Sequence, residues 1–271
     1  MGKKLIGTPP LLPNHHRLRD MVISVAGNLT KSLPLLENGD RLTREEFERR
    51  YHAMPHLKKA ELIEGVVYVP SPLRYHRHGK PHGYMMAWLG LYSSATPGVE
   101  FADNTTVRLD LDNEPQPDAL LRIEEACGGR SRISGDDYVE GAPELIVEIA
   151  SSSVSYDLHD KLKVYRRNGV QEYIVWQMAE QKLDWLSLQG GEYIPLQPDE
   201  SGLIGSRIFP GLDLTIAALL AGDLATVLAQ VQRSMTTEAH QVFVEQLVQR
   251  RSSQREPPKE RSLGVSNPKS P

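Results

Sequence analysis

The chain has 271 residues, of which 39% are hydrophobic and 24% charged, as in a globular protein of one domain with extensions or of two small domains. Its formal net charge of −4 excludes a wholesale basic nucleic-acid binder, but not local basic patches. The single cysteine, Cys127, excludes an internal disulfide framework and a zinc site made of several cysteines.

The sequence also predicts a cytoplasmic protein without a membrane partner. No apolar run approaches the roughly 18 residues of a membrane helix, and prolines interrupt the segment behind the basic N-terminal residues, where a signal peptide would need an apolar core. Residues 1–38 are rich in proline and lack periodicity, which predicts a poorly ordered arm. Met1 and Met21 are both candidate translation starts.

The first predicted elements are a helix and a hairpin. Thr43 and Glu46 have the T-x-x-E spacing of a capping box, which marks a helix start. Residues 60–69, with Glu64-Gly65 at their centre, predict a hairpin. A second helix is predicted to begin near Pro81, because proline suits the first helical turn. Its apolar residues recur with helical spacing at Met85, Trp88, Leu89 and Tyr92.

Extended runs dominate the middle of the chain. They predict strands at residues 99–103, 105–111, 117–123, 143–151, 171–176 and 182–188. A helix is predicted over residues 156–167, ended by Gly169. Strands with helices before and after them indicate an α/β (α+β) fold with a mixed sheet flanked by helices.

The C-terminal part is predicted to be helical up to residue 250. Apolar stripes over residues 220–250 predict a helical extension that either covers the sheet or pairs with another subunit. Residues 251–271 are polar, charged and contain proline, which predicts a disordered tail.

The strand at residues 143–151 has the strongest β-forming composition and also carries carboxylates. Because side chains alternate across a strand, Leu145, Val147 and Ile149 share one face, while Glu144 and Glu148 lie on the other. A buried carboxylate costs several kcal/mol unless it is paired, protonated or bound to a metal. We therefore predict that Glu148 is a metal ligand.

Three residues form the predicted catalytic group: Asp118 at a strand start, Glu148 within the next long strand, and Lys161 in the helix that follows. Two carboxylates on neighbouring strands suit Mg²⁺ or Mn²⁺, which keep several waters for a substrate to replace. A lysine beside them can orient a nucleophilic water or stabilise negative charge at phosphorus. Each residue also has a structural alternative. Asp118 can be a turn residue, Glu148 half of a buried ion pair, and Lys161 a solvated helix lysine.

The combination of Pro117-Asp118, Glu148 and the D-L-x-x-K-x-x-x-Y segment at residues 157–165, followed by residues 168–173, resembles the "putative restriction endonuclease" branch of the PD-(D/E)XK nuclease superfamily. The resemblance implies a restriction-endonuclease-like domain over residues 39–219. It also implies a divalent-metal-dependent endonuclease that acts on DNA.

One departure of the chain from the superfamily pattern concerns the catalytic lysine. The superfamily usually has a lysine two residues after the glutamate, where this chain has Ala150. The resemblance implies that Lys161 takes its place, with Lys163 as the runner-up. Glu61 is a candidate additional acidic residue. A histidine common in the family near the start of the second helix is matched by either His78 or His82.

Basic residues are predicted to grip nucleic-acid phosphates without reading sequence, although solvated loop charges are the alternative. They are Arg74, Arg77, Lys80 and Arg166, with Arg167 nearby. Tyr75 can stack on a base. Tyr165, four residues after Lys161, is predicted to serve in packing.

A second function remains open at the sequence level. The acidic net charge and the missing strand lysine favour a catalytically weak or inactive nuclease fold that binds nucleic acid or protein. A homodimer is a further prediction, since cutting both DNA strands commonly uses two sites and the C-terminal helices carry apolar stripes.

Overall fold

The computed structural model describes residues 33–70, 72–151 and 154–255. Its helices are α1 (Arg44–His52), α2 (Lys80–Ser94), α3 (Val154–Tyr156), α4 (Leu162–Asn168), α5 (Ile216–Ala221), α6 (Leu224–Ser234) and α7 (Glu238–Arg255). A π-helical turn, Tyr75–Gly79, precedes α2, and a second, Asp157–Lys161, joins α3 to α4.

The strands are β1 (Glu61–Ile63), β2 (Val66–Tyr68), β3 (Val99–Asp103), β4 (Val107–Arg108), β5 (Ala119–Ile123), β6 (Arg132–Ile133), β7 (Val139–Glu140), β8 (Leu145–Ala150), β9 (Glu172–Gln177), β10 (Lys182–Gln189), β11 (Glu192–Pro195), β12 (Leu203–Gly205) and β13 (Asp213–Thr215). None of the helices in the described ranges combines the length and apolarity that crossing a membrane requires.

The central sheet has six strands in the order β11-β10-β9-β8-β5-β3. Strands β8 and β9 are parallel, and the other neighbours are antiparallel. The segment from α3 to α4 makes the crossover between the two parallel strands, as a βαβ unit requires. The mixed sheet predicted from the sequence is therefore confirmed.

The alternation predicted for β8 is also confirmed. Leu145, Val147 and Ile149 belong to the larger core, which includes Trp88 of α2. Residues Ile146 and Ala150 belong to a second core on the opposite face, together with Tyr165 and Tyr173. Strand β8 is thus an inner strand of the sheet with both faces covered, and Glu148 is buried.

The N-terminal helix and hairpin form as predicted. Thr43 Oγ1 accepts a hydrogen bond from the Glu46 backbone N at 3.4 Å and so caps α1. Between β1 and β2, Glu64 and Gly65 both have positive φ, 52° and 70°. Two left-handed residues are what a tight type I′ hairpin turn requires. Strand β1, which carries Glu61, is therefore fixed against β2 by the turn at its C-terminal end.

The C-terminal helices pack into the core on one face of the sheet, where α6 lies against α2 and β13, in line with the first of the two predicted alternatives. Val227 and Val231 of α6 and Leu247 of α7 are buried in the larger core. Helix α7 continues to Arg255, five residues past the predicted boundary of the extension. Within the predicted N-terminal arm, Leu36 is buried against the core around Phe47. Residues 1–32, including Met21, and residues 256–271 lie outside the described part.

Two elements differ from the prediction. The strand expected over residues 105–111 is reduced to β4, because its partner β7 is itself only two residues long and the chain turns at residues 110–113. The helix expected over residues 156–167 begins at Val154 and contains the π turn Asp157–Lys161. Gly169 ends it in the left-handed conformation, with φ of 82°, as predicted.

Candidate functional site

The register of the sheet brings Asp118 to Glu148. Ala119 of β5 pairs with Val147 of β8, so the same register continued by one residue sets Asp118 opposite Glu148. Both carboxylates are buried, with 4% and 3% of their surface exposed. The backbone N of Ile149 donates to Asp118 Oδ2 at 2.8 Å, which fixes the aspartate against β8. The two carboxylates predicted to hold a metal therefore lie side by side.

The helix after β8 supplies a lysine to this pair. Lys161 Nζ donates to Glu148 Oε1 and to Glu61 Oε1, both at 2.8 Å, and lies 3.9 Å from Asp157 Oδ1. Lys161 is itself buried. Lys163, the runner-up, is exposed on the helix surface and lines a shallow cleft instead. The geometry therefore brings Lys161, and not Lys163, to the carboxylates.

Glu61 and Tyr165 complete the buried side of the cluster. Glu61 Oε1 also accepts from the Gln116 backbone N at 2.7 Å, so this glutamate is tied to the segment that leads into β5. Tyr165 Oη donates to Glu148 Oε1 at 2.8 Å. The prediction that Tyr165 serves in packing is thus incomplete, because its hydroxyl also fixes the orientation of Glu148.

A second lysine, Lys59, was missed at the sequence level. Its Nζ lies 3.2 Å from Asp118 Oδ1 and 3.1 Å from Asn104 Oδ1. Lys59 stands two residues before Glu61 where the chain enters β1, and residues so spaced in an extended segment point to the same side. The two-residue spacing of Lys59 and Glu61 was thus the sequence feature that could have indicated that Lys59 lies at the site.

The cluster carries more negative than positive groups. Its carboxylates are Glu61, Asp118, Glu148 and Asp157, and its ammonium groups are Lys59 and Lys161. When all of these groups are ionised, the negative charges outnumber the positive ones by two. A divalent cation would supply the balance.

The pKa shifts in the cluster follow from burial and from this charge excess. Burial raises the pKa of Glu148, and the charge of Lys161 offsets this only in part. Burial alone would lower the pKa of Lys161, but Glu148, Glu61 and Asp157 together raise it well above its usual value. For Asp118, burial is outweighed by Lys59, His78 and the Ile149 N–H, so its pKa is lowered. Asp118 and Lys161 are therefore charged at neutral pH.

Asp118 and Glu148 are the carboxylates that could hold a metal ion. Within residues 33–70, 72–151 and 154–255, no three histidine, cysteine, aspartate or glutamate side chains are arranged to hold a metal together. Mg²⁺ is nevertheless commonly held by one or two carboxylates, with waters and phosphate oxygens completing its shell. Both hydrogen bonds to Glu148 are to Oε1, and none to Oε2 is found among the described residues. Asp118 and Glu148 thus fit a hard divalent cation.

The two candidate histidines occupy different positions. His78, in the π turn before α2, is buried with its Nε2 3.5 Å from Asp118 Oδ1, and this nitrogen has no hydrogen-bond partner in the described residues. Burial lowers the pKa of His78, so the ring is neutral at neutral pH. His82 Nε2 instead lies 2.8 Å from the backbone O of Asp118 and 2.9 Å from Asp103 Oδ1. Only His78 faces the carboxylate.

The predicted nucleic-acid-binding residues also fall into two groups. Arg74, Arg77 and Lys80 are exposed in the segment that carries His78. The side chains of both arginines lack ion pairs with any described residue. Arg166 is instead paired with Glu192, and the adjacent Arg167 with Glu64 and Asp110. Of the four predicted residues, Arg166 is therefore paired with a carboxylate, whereas the two arginines of the segment that carries His78 are not.

Comparison with known families identifies the chain. The profile of the Uma2 family, described as "Putative restriction endonuclease", matches residues 44–217. A solved structure similar to this chain is described as "a putative nuclease belonging to DUF820" from Anabaena variabilis ATCC 29413; it is 15% identical, with 64% of this chain and 96% of that chain covered and a TM-score of 0.49. The search of curated proteins finds no match. Because the Uma2 profile spans well over half of the chain, the protein belongs to the Uma2 family, which confirms the resemblance found in the sequence.

Proposed function

We propose that the protein is a divalent-metal-dependent endonuclease that hydrolyses phosphodiester bonds in DNA, with Asp118 and Glu148 as ligands of Mg²⁺ or Mn²⁺. The observation that carries this proposal is a pair of buried carboxylates, Asp118 just before β5 and Glu148 on β8, which the register of the sheet sets opposite each other. Structural ion pairs are normally balanced, since an uncompensated buried charge is costly. Two adjacent buried carboxylates, Asp118 and Glu148, therefore favour a bound cation.

The residues around the metal ligands have separate tasks in this proposal. A bound Mg²⁺ would lower the pKa of a coordinated water and stabilise negative charge on the phosphoryl oxygens. Lys161 and Tyr165 hold Glu148 through Oε1, which keeps Oε2 directed to the cation. An ammonium group has three N–H donors. Two N–H groups of Lys161 donate to Glu148 and Glu61, and the third would position the attacking water.

The substrate would be held by the exposed segment next to His78. Arg74, Arg77 and Lys80 would contact phosphates, and Tyr75, 70% exposed, would stack on a base. The neutral His78 would accept a hydrogen bond at Nε2 from a water next to Asp118. Because these contacts involve the backbone and the faces of bases, they support DNA binding without a particular recognition sequence.

The assembly and place of action are also part of the proposal. Cleavage of both strands of a duplex uses two sites, so we expect a homodimer. The single cysteine, Cys127, is buried and free. A chain without disulfides suits the reducing cytoplasm.

The test is cleavage of supercoiled plasmid DNA with Mg²⁺ or Mn²⁺. We expect the wild type to cut only when the metal is present, and Asp118→Asn and Glu148→Gln each to lose at least a hundredfold in rate, since even residues that merely support metal ligands are worth about 10–100-fold. Glu144→Gln is the matched control. Glu144 is buried at the other end of the same strand face, where its oxygens accept from the backbone N of Ile123 and Arg130.

Two results would change the proposal. Metal-dependent cutting that persists unchanged in Asp118→Asn would show that the site lies elsewhere. Metal binding and salt-sensitive DNA binding without cleavage would instead favour a nuclease fold used for binding alone. Thermal unfolding of each variant above the assay temperature establishes that the protein tested is folded.

A further inference from the structure

We propose that Lys59 occupies the metal-binding oxygen of Asp118 in the metal-free protein and moves to a substrate phosphate when the cation binds. This inference rests on the proposed function, because it needs a metal at Asp118. It gives Lys59 two successive partners, first a carboxylate of the protein and then the DNA backbone.

The starting position of Lys59 follows from its contacts. Asp118 Oδ2 is taken by the Ile149 N–H, so Oδ1 is the oxygen available to a cation. Lys59 Nζ lies 3.2 Å from this Oδ1. Two cations cannot share the oxygen without strong repulsion, since unit charges at such distances interact by several kcal/mol even at an effective dielectric constant of about 20. Metal binding therefore requires Lys59 to leave.

The surroundings of Lys59 permit this movement. Its side chain is 19% exposed, compared with 3% for Lys161, which is enclosed by carboxylates. Lys59 precedes β1 and is not part of a strand. A lysine stem is flexible and carries a compact charge at its end. Of the two lysines in the cluster, only Lys59 can leave its carboxylate without breaking buried contacts.

A neutral second partner limits how far Lys59 can go. Asn104 Oδ1 lies 3.1 Å from Lys59 Nζ, and the Asn104 backbone N donates to the Asp118 backbone O at 3.4 Å. Because Asn104 carries no charge, an incoming cation does not compete for it as it does for Asp118. Lys59 released from Asp118 is therefore kept at the mouth of the site, where a phosphate bound to the metal would lie.

Lys59→Met should change metal affinity and DNA cleavage in opposite directions. Without DNA, the variant lacks the competing ammonium group, so it should bind metal more tightly than the wild type. With DNA, it lacks a phosphate contact, so it should cleave less efficiently. A residue with a purely structural role would impair both properties or neither.

The first measurement is calorimetric titration of the full-length protein with Mn²⁺ alone. We expect Lys59→Met to bind Mn²⁺ on the order of fivefold more tightly, the size of a partly exposed ion pair. Lys58→Met is the matched control, because Lys58 is the exposed neighbour and its Nζ donates to the Pro55 carbonyl instead of a carboxylate of the cluster. It should bind Mn²⁺ as the wild type does.

The second measurement is kcat/KM for cleavage of a fluorescein-labelled DNA duplex at saturating Mn²⁺. We expect a loss of about tenfold for Lys59→Met, with a salt dependence shallower by about one phosphate contact. Lys59→Arg retains the cation and should restore both Mn²⁺ affinity and cleavage towards the wild-type values. It also tests the inference should the methionine variant fail to fold.

The outcomes separate this inference from the proposed function. If the wild type binds no Mn²⁺, the proposed function fails and this inference fails with it. If the wild type binds Mn²⁺ and cuts DNA, but Lys59→Met binds the ion no more tightly, this inference alone is overturned. It is likewise overturned if Lys59→Met cleaves DNA with the efficiency and salt dependence of the wild type.

Discussion

The two lysines of the acidic cluster lie in different surroundings, although each contacts a carboxylate. Lys161 is enclosed, 2.8 Å from both Glu148 and Glu61, and its side chain is 3% exposed. Lys59 lies 3.2 Å from Asp118 at the edge of the cluster, with 19% of its side chain exposed. We call Lys161 and its carboxylates the inner side, and Lys59 with Asp118 the outer side. The difference indicates that Lys161 is held in place by buried contacts, while Lys59 is the more accessible of the two ammonium groups.

The strongest test of this contrast is protein stability. Lys161→Met would leave Glu61 and Glu148 buried without their cation, and breaking a buried ion pair in this way typically costs about 3–5 kcal/mol. Lys59→Met should lower the free energy of unfolding by only about 1 kcal/mol, because its partner keeps the Ile149 N–H and solvent screens the exposed ammonium. Urea unfolding in EDTA measures the free energy of unfolding of both variants. Equal decreases in the two variants would remove the distinction between the two sides.

A smaller effect is expected from the tyrosine on the inner side. Tyr165→Phe removes the hydroxyl that donates to Glu148 Oε1. Burial raises the pKa of Glu148 to about 8, so above that pH this is a hydrogen bond to a charged group, worth about 1.5–3 kcal/mol. Tyr173→Phe is the matched control, since its hydroxyl donates to the uncharged backbone O of Asp157 at 3.0 Å. The control should lose only about 1 kcal/mol. Unfolding curves that rank the variants in the reverse order would contradict the charge assigned to Glu148.

The smallest effect concerns the basic residues outside the cluster. Arg74→Ala with Arg77→Ala should weaken binding of a labelled DNA duplex about tenfold at moderate salt, with a salt dependence shallower by about two phosphate contacts. Arg166→Ala with Arg167→Ala should change affinity less than twofold, because both guanidinium groups are already paired with carboxylates. Fluorescence anisotropy in EDTA measures binding without cleavage. Equal losses in the two double variants would place the DNA on both surfaces.

Much of the fold follows from local sequence signals. The alternation over β8 predicted which residues face each core, and Glu64-Gly65 predicted the hairpin turn. The contact between Asp118 and Glu148 was inferable because neighbouring strands present side chains at a regular spacing. These predictions succeeded because strand periodicity and turn chemistry depend on a few consecutive residues.

The parts that were not predicted depend on contacts between distant segments. The two-residue spacing of Lys59 and Glu61 indicates that they share one side, but the contact of Lys59 with Asp118 depends on how the chain before β1 passes beside the start of β5. Arg166 looked available for DNA because its partner Glu192 lies 26 residues further along the chain. The choice between His78 and His82 likewise depended on how the start of α2 faces Asp118.

The two π-helical turns make the spacing of residues as important as their identity. A π turn closes with an i→i+5 hydrogen bond and therefore contains one residue more than an α turn. Deleting one of the three residues between Asp157 and Lys161 would restore an α turn, and since an α-helix advances about 100° per residue, Asp157 would be rotated relative to Lys161, which stays in register with Val164 and Tyr165 of α4. The chain can therefore lose Asp157 from its charged cluster through a one-residue deletion that removes none of the cluster's side chains. Insertions and deletions in the π turns before α2 and α4 are therefore expected to change the cluster even when all of its side chains are kept.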